Sequence, residues 1–556
     1  MNKNTRTLLA ALATTWAASI ASAQFYPLPP PAYPGFTNFK LRAVDPYMAQ
    51  WDIGVNVRAR LEDKDDAGFT SGGQNRDFAA GKPTGTTLNN DRFDNNNTYG
   101  LLRIMPRIGY TDKWYQVFVQ GRSSLSIDDE RGHNGTSFKP QVGNATEIAN
   151  APGIKAGEGL QENNSDLSLH QAYIFIGNHK EFPVSAKLGR QELVYGDQRQ
   201  VGNFLWNNNG RSFDAAKVRY QNSLGGVDVF TSGVVYQDNN NFDESHYKND
   251  KFSGAYFNLT KLPGITDKQI VETYIYSRNV EKDSVNEDWS GVAAPFRQPY
   301  IQDLYTAGLR IKSKPGAYGN WDYTAEAMHQ FGTINNRTAT GTAILPINKP
   351  STIAAAPELT QDAYAAIAQV GYTWSDLAWQ PRLSLTYSYA SGDKNAKDGE
   401  SNTFQNQFAT THFFYGYMDL NSLQNLHDIR LALEAKPTSK LRVALEGHLQ
   451  SLDNTNDYWY NVGGVARTPS KGTDQTFVGH DGSTHGKGYG INSGNSADLG
   501  EEVDFIVSYS PVPYVNFEGG VAHYFRGDYI KESWSAASSG GSKDASYAYL
   551  QLTLNL

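Results

Sequence analysis

The feature that most constrains the fold is a period-two alternation of apolar and polar residues, which recurs from residue 50 to the C-terminus. In the last segment, four leucines from Leu550 to Leu556 alternate with Gln551, Thr553 and Asn555. Such alternation puts one set of residues on each face of a β-strand. Roughly 500 residues of this pattern, with no domain boundary, predict a transmembrane antiparallel β-barrel of the outer-membrane type.

The strand candidates are eighteen in number, as the even count of single-chain bacterial barrels requires. They fall near residues 50–62, 99–110, 113–127, 167–178, 184–194, 213–222, 226–236, 251–261, 268–280, 302–313, 320–332, 361–374, 380–390, 426–436, 440–450, 501–510, 514–525 and 546–556. Their connectors alternate between long and short, as in 63–98 followed by 111–112. Long extracellular loops and short periplasmic turns have this asymmetry, so both chain ends are expected in the periplasm.

The N-terminus has the layout of a secretory signal peptide, which predicts export and then residence in the outer membrane. Lys3 and Arg6 precede an apolar core from Leu8 to Ile20, and Ala21-Ser22-Ala23 forms an A-x-A cleavage site. The alternative, a retained anchor helix, has too short an apolar core. We therefore divide the chain into a signal peptide at 1–23, a periplasmic Pro-rich lead-in at 24–49, and the barrel at 50–556.

Composition agrees with this assignment and excludes several kinds of site. The chain has 33 Tyr, 26 Phe and 10 Trp, as expected if aromatic rings form girdles at both membrane interfaces. It has no cysteine, which excludes disulfides, Cys-ligated metals and Cys nucleophiles. The mean hydropathy of -0.54 is compatible with a barrel, because half of each strand faces water.

Alternation also assigns the side chains that face the lumen, and many of them are cations. A cation on the lipid face at the bilayer midplane costs roughly 2–4 kcal/mol, so strand arginines are placed inward. The inward basic residues are Arg58, Arg60, Arg103, Arg107, Arg122, Lys187, Lys217, Arg219, Arg278, Arg310, Lys312, Arg382, Arg430 and Arg442. The inward acids are fewer: Glu272, Glu434, Glu446, Asp504 and Glu518.

This excess of cations predicts an anion path, although the formal net charge of the chain is -8. The acidic excess lies mostly in loops, and a narrow low-dielectric bore focuses the field of its lining charges. An alternative remains open at this point, because lumen arginines in a general porin also serve only to pair with acids.

One segment resembles a known family. Residues Gly189 to Tyr220 read GRQELVYGDQRQVGNFLWNNNGRSFDAAKVRY, which resembles the signature of the alginate export family of outer-membrane proteins. Ser391 to Leu420 and the LGEEVDF run from Leu499 agree with it. The resemblance implies an eighteen-stranded barrel, an arginine-rich constriction for anionic polyuronate, and periplasmic secretion-complex partners. The final Leu556 departs from the Phe that more often ends such barrels.

The motif adds Arg190, Arg199 and Arg211 to the expected substrate path, and Asp197 and Asp214 as a loop latch. Acid–arginine pairs would pin a loop against the wall while other arginines face the path. A purely structural latch of Asp197, Arg199, Arg211 and Asp214 is the alternative. The preferred ligand contacts are Arg103, Arg107, Lys187 and Arg190.

Other chemistry finds little support in the sequence. Ser168 and His170 have strand spacing, but an outer-membrane lipase needs them on the lipid face with a third partner, and no GxSxG is present. The histidines lack H-E-x-x-H spacing, and residues 393–400 do not fit a calcium loop. We therefore expect no enzyme, cofactor or nucleic-acid partner.

The sequence thus predicts a passive outer-membrane channel with a basic lumen, passing or exporting an anionic polysaccharide such as alginate. The alternative function is a substrate-specific porin that takes up small anions or oligouronates. A third class, an adhesin or anchor barrel with a plugged lumen, would not need a surplus of arginine.

Overall fold

A computed structural model describes residues 35–67, 96–127, 164–235, 250–281, 302–335, 358–395, 398–464, 494–535 and 544–556 of the chain. Its wall is a ring of eighteen antiparallel strands. They are β1 Trp51–Asp65, β2 Asn96–Thr111, β3 Tyr115–Ile127, β4 Asn164–Ile176, β5 Val184–Gln191, β6 Phe213–Gln221, β7 Gly225–Val234, β8 Asp250–Leu259, β9 Gln269–Val280, β10 Gln302–Ser313, β11 Trp321–Asn335, β12 Glu358–Thr373, β13 Arg382–Ala390, β14 Leu426–Thr438, β15 Leu441–Ser451, β16 Asp498–Val512, β17 Val515–Arg526 and β18 Ala545–Asn555. A two-residue segment, Glu400–Ser401, pairs in parallel with the start of β12.

The ring closes between the first and last strands. Asn56 of β1 pairs with Asn555 of β18, while Trp51 pairs with Tyr110 of β2. The backbone of Leu556 exchanges two hydrogen bonds of 2.9 Å with Val55, so the C-terminal residue completes the seam. Closure of the ring gives the backbone amides and carbonyls of both edge strands hydrogen-bond partners. A bilayer requires this because it offers no water to unpaired backbone groups.

The strand expectations are confirmed. Eighteen strands occur, and their ends lie within about three residues of the predicted bounds, inside the error of such assignments. The connectors 112–114, 439–440 and 513–514 are short and lie at the end that also holds the described N-terminal residues and Leu556.

The two faces of the wall have opposite chemistry. On the outer face Leu550 is 62% exposed, Leu449 53% and Leu431 51%, whereas the inward Gln450 is 2% exposed. A water-soluble protein would not expose an apolar surface of this kind, but a bilayer covers it. At the short-turn end, the Trp51 and Tyr110 ring centroids lie 5.1 Å apart in an interfacial aromatic girdle.

The lead-in predicted at 24–49 contains a helix that its Pro-rich composition did not predict. In the described part, α1 spans Phe36–Val44 and a 3-10 turn spans Pro46–Gln50. The helix is fixed to the wall by Asn38, which donates to Asp52 at 2.7 Å and accepts from the Ile53 amide at 2.8 Å. The predicted signal peptide lies outside the described residues.

A second helix, α2, spans Asp528–Ser535 at the loop end of the barrel. Among the described helices, none combines the length and the apolarity that crossing a bilayer demands.

The lumen is filled by connecting segments. Phe404, Phe408, Phe414 and Tyr415 belong to the connection between β13 and β14, yet each is at most 4% exposed. Trp459, from the connection between β15 and β16, is 1% exposed. The described parts of these two connections therefore fold into the barrel, and they cover wall residues from water.

Candidate functional site

Two inserted segments meet inside the lumen; we name residues 192–212 loop A and residues 391–425 loop B. Their backbones pair, since the Gly202 amide donates to the Phe408 carbonyl at 2.9 Å and the Thr410 amide donates to the Gln198 carbonyl at 2.9 Å. The rings of Trp206 in loop A and His412 in loop B stack with their centroids 3.6 Å apart. The two loops thus form one body.

Four predicted path arginines hold loop A against the wall. Arg58 and Arg103 both donate to the carbonyl of Leu205, at 2.6 and 2.9 Å. Arg60 donates to the Trp206 carbonyl at 2.8 Å, and Arg122 donates to the Asn209 carbonyl at 3.1 Å. These side chains face inward as predicted, but what they contact is the protein itself.

The predicted latch acids also form ion pairs. Asp197 of loop A lies 2.5 Å from Arg310 and 3.4 Å from Lys312 on β10. Burial pushes the pKa of Asp197 up, but Arg310 and then Lys312 outweigh it, so the pKa lies below its ordinary value. Asp214 accepts two bonds from Arg190, at 2.8 and 3.0 Å.

The placement of Arg190 in the lumen is wrong. In the β5–β6 register Arg190 pairs with Asp214 and shares the face of Leu188 and Val218, which are 42% and 47% exposed. Lys187 lies on the other face. The inward rule fails here because the bidentate carboxylate and the Leu169 carbonyl, which accepts at 3.2 Å, satisfy the guanidinium near the end of its strand.

Arg199 and Arg211 bind between the loops. Arg199 donates to the Tyr415 hydroxyl at 2.9 Å and lies 4.0 Å from the centre of the Phe414 ring. Arg211 donates to the carbonyls of Gly202 and Ala409, each at 3.2 Å, and to that of Phe408. Burial, reinforced by Arg278, lowers the pKa of Arg211 to about 9. Both residues join loop A to loop B.

Most remaining wall arginines are matched by acids. Arg310 contacts Glu272, Arg382 binds Asp322 at 2.6 Å, Arg430 binds Glu446 at 2.5 Å, Arg442 lies 3.4 Å from Glu434, and Arg107 lies 3.0 Å from Asp52. The arginine surplus inferred from the sequence is therefore largely paired charge.

Three inward cations on the neighbouring strands β5 and β6 retain partial access to water: Lys187, Lys217 and Arg219, which we name the basic patch. Lys187 lies directly opposite Lys217 across the β5–β6 pair. The Lys217 and Arg219 side chains are 23% and 29% exposed and share Asp228, at 3.5 and 2.7 Å. The Lys187 ammonium lies 3.7 Å above the Tyr173 ring.

The basic patch lies in the periplasmic half of the barrel. Lys187 is the fourth residue of β5, which starts at Val184 beside a short turn, and Arg219 is two residues before the end of β6. Sequence reasoning identified these cations but missed Tyr173 and Asp228. Period-two alternation on β4 and β7 carries the signal that would have found both.

Buried acids lie on the opposite side of the lumen from the basic patch, on strands about nine positions away from β5 and β6 in the ring. Asp428, Glu446, Glu502 and Asp504 on β14 to β16 are each at most 1% exposed. We name the strands that carry these four buried acids the acidic side of the lumen, although Arg430 and Arg442 also lie on them.

Ser168 and His170 face the inside of the barrel. Both are 0% exposed, and His170 lies 2.8 Å from Glu192. Ser168 accepts from Arg122 at 2.7 Å and donates to the Arg122 carbonyl at 3.2 Å. A lipase needs its nucleophile on the lipid face, so this pair serves loop anchoring.

Comparison with known proteins agrees with this architecture. The family model described as "Alginate export" matches residues 49–540. No curated protein matches the sequence.

Solved structures from Pseudomonas aeruginosa are similar to this chain, and OccK9 (OpdG) shares its fold. OccK9 (OpdG) is 9% identical, with a TM-score of 0.51 over 92% of this chain and 100% of that one. OccK11 (OpdR) is 11% identical, with a TM-score of 0.47 over 91% and 96%. OpdK, solved with vanillate, is 10% identical, with a TM-score of 0.48 over 91% and 98%. The chain is an outer-membrane β-barrel channel and belongs to the alginate export family.

Proposed function

We propose that this channel conducts anionic saccharides, with a polyuronate such as alginate as the exported polymer, and that the basic patch receives their carboxylates. The observation that carries the proposal is the cross-strand pair of Lys187 and Lys217. Like charges directly opposite each other destabilise a sheet. A carboxylate bound between them would relieve the repulsion, and the fork of Arg219 adds a planar donor suited to a carboxylate.

Aromatic rings beside the patch suit a sugar. The Tyr173 and Phe118 rings stack with centroids 5.3 Å apart on the inner face. Because the Lys187 ammonium lies over the Tyr173 ring, a pyranose that packs on this ring would displace the ammonium, which would then bind the carboxylate of the same sugar. A small inorganic anion would use only the charges.

The position of the patch fits entry from the periplasm. Polymer pushed by a periplasmic synthesis and secretion complex would meet Arg219 and Lys187 before it reached loops A and B. Carboxylates would then move between weak sites without a cofactor, since conduction requires that each site release its ligand.

Uptake of small anions or oligouronates is the second candidate, favoured by the loops. Arg58, Arg103 and Arg211 hold loops A and B inside the lumen through bonds to backbone carbonyls. A polymer strand needs both loops displaced, whereas a small anion needs only a gap beside them.

Block by a saccharide tests the proposal. Purified full-length protein in a planar bilayer is exposed to tri-uronate, to neutral trisaccharide of equal size, and to chloride alone. We expect tri-uronate to reduce the conductance and the neutral sugar not to. In the Lys187→Gln/Lys217→Gln variant the half-blocking concentration should rise by about tenfold, or about 1.4 kcal/mol.

The matched control is Lys113→Gln, which removes an exposed cation that pairs with Glu181 at 2.8 Å in a periplasmic turn. Tri-uronate should block this control at the same concentration as it blocks the wild type. The proposal is contradicted if the neutral sugar blocks the wild type equally well, or if the double variant has the half-blocking concentration of the wild type. Polymer secretion by cells lacking the protein then separates export from uptake.

A further inference from the structure

The acidic side of the lumen carries a cluster that conduction does not use. Glu446 and His448 are two residues apart on β15, so both face the lumen, and Asp504 of β16 pairs directly with Glu446. Nε2 of His448 lies 3.9 Å from Oε2 of Glu446 and 3.8 Å from Oδ2 of Asp504. One donor atom from each residue lies within 4.8 Å of the others, and all three are buried. We propose that Glu446, His448 and Asp504 bind a divalent transition-metal ion of the Zn²⁺ type.

The orphaned carboxylate of Asp504 is the first support for a ligand. Asp504 is 0% exposed, and among the described residues neither of its oxygens receives a hydrogen bond. A buried carboxylate without a donor or a cation is costly. One oxygen each of Asp428 and Glu502 also lacks a donor within the described structure.

The charges of the cluster demand a cation or a proton. Within the described structure, the ion-pair partners of the carboxyls of Asp428, Glu446 and Asp504 are the Arg430 guanidinium and the His448 imidazole, and Glu502 adds a fourth carboxyl beside them. Glu502 lies within hydrogen-bonding reach of Asp504, so a proton shared between these two is the competing solution. A divalent ion supplies more positive charge at the same place.

The orientation of His448 is that of a metal ligand. Its Nδ1 lies 2.8 Å from Oδ1 of Asp428. A ligating histidine commonly donates its other ring N–H to a carboxylate, which fixes the tautomer and raises the basicity of the ligating nitrogen. With the proton on Nδ1, the Nε2 lone pair faces Glu446 and Asp504.

The donor set selects the kind of ion. One imidazole nitrogen with two carboxylates suits Zn²⁺, whereas Ca²⁺ takes six to eight oxygen ligands. Arg430 already donates to both oxygens of Glu446, at 2.6 and 2.5 Å, and each oxygen keeps a second lone pair. Glu446 therefore serves as a monodentate ligand.

The site also lies beneath loop B. Oε1 of Glu502, opposite His448 in the β15–β16 register, accepts from the Met418 amide at 2.8 Å. A metal ion joining β15 to β16 would hold this acceptor in place, and so would fix loop B inside the lumen.

Metal titration tests the inference. The folded full-length protein in detergent is treated with EDTA, dialysed, and titrated with Zn²⁺ by calorimetry, with metal content read independently by mass spectrometry. We expect one tight site per chain, and a loss of at least tenfold in affinity in His448→Gln and in Asp504→Asn. Co²⁺ at the same site should give visible absorption bands in the wild type and not in the variants.

His329→Gln is the matched control, because His329 has a similar carboxylate partner, Asp362 at 2.8 Å, and the described residues add no third ligand there. It should bind Zn²⁺ like the wild type. Wild type that binds no Zn²⁺, or His448→Gln and Asp504→Asn that bind it unchanged, overturns the inference in favour of a shared proton. Each variant is first checked for folding by heat-modifiable migration, and Glu446→Gln replaces one that fails.

Discussion

Arg58 gives the sharpest prediction about the loops, because its side chain joins β1 to loop A. It donates to the Leu205 carbonyl at 2.6 Å, and more weakly to the Asn207 carbonyl at 3.4 Å and to Asn208 Oδ1 at 3.2 Å. A hydrogen bond from a charged group contributes about 1.5–3 kcal/mol net. The Arg58→Met variant should therefore weaken the seated position of loop A by about 2 kcal/mol, or about 30-fold in the ratio of displaced to seated loop.

The assay is single-channel recording at fixed salt. We expect Arg58→Met to increase the frequency of large conductance steps, although the substitution removes a positive charge from an anion path. The control is Arg382→Met, which removes an inward arginine bound to Asp322 at 2.6 Å, away from loop A. It should lower anion conductance without new large steps.

A disulfide completes the test, and the native chain contains no cysteine to interfere. Ser124 Oγ donates to the Asn208 carbonyl at 2.9 Å, so Ser124→Cys with Asn208→Cys should fasten loop A to β3. Oxidation should abolish the large steps of Arg58→Met, and reduction should restore them. If Arg58→Met shows the same step distribution as wild type, or only a smaller current, then Arg58 does not hold the loop.

Three further predictions concern loop B and the wall. Burial raises the pKa of Asp393 in loop B to about 6; because this value exceeds the unfolded one of about 4, ionisation destabilises the loop as pH rises from about 4 to 6. The protection factors of amides near Asp393, which compare the measured exchange rate with the intrinsic rate at the same pH, should thus be higher at pH 4.5 than at pH 7, and Asp393→Asn should remove that difference; a wild type with equal protection at both pH values contradicts the assignment. Gly416 has φ 98°, and a Cβ at this position would lie 2.2 Å from Glu502 Oε2. Gly416→Ala should therefore loosen loop B and speed its cleavage by protease, whereas unchanged cleavage would show that Gly416 does not hold loop B in the lumen. On the lipid face, Leu431→Arg should reduce the free energy of unfolding in liposomes by about 2–4 kcal/mol, measured by urea titration; no loss would place Leu431 away from lipid.

The wall was predictable because its signal is local. A strand buried against lipid on one face and polar on the other must alternate, and the spacing of Leu550 to Leu556 records this directly. The closed ring and the inward direction of Arg58, Arg103 and Arg430 follow from the same period. The position of α1 against the wall was not predictable. It depends on the hydrogen bond between Asn38 and Asp52, and the alternation of apolar and polar residues gives no sign of that contact.

The hydrogen-bond partners of the inward cations could not be predicted from the sequence, for a different reason. Arg58 binds a carbonyl 147 residues away, and Arg310 binds Asp197 at a separation of 113. Loop insertion depends on such distant pairs, and alternation carries no information about them. Arg190 shows a further limit: its carboxylate partner Asp214 removed the penalty that the inward rule assumes.

The ion selectivity of the basic patch tests the central claim most directly. Reversal potentials are measured across a bilayer with a tenfold KCl gradient, for wild type and for Lys187→Glu with Lys217→Glu. Our account predicts that wild type prefers chloride and that the double variant loses or inverts this preference. A cation-selective wild type, or a double variant with the reversal potential of wild type, would contradict it.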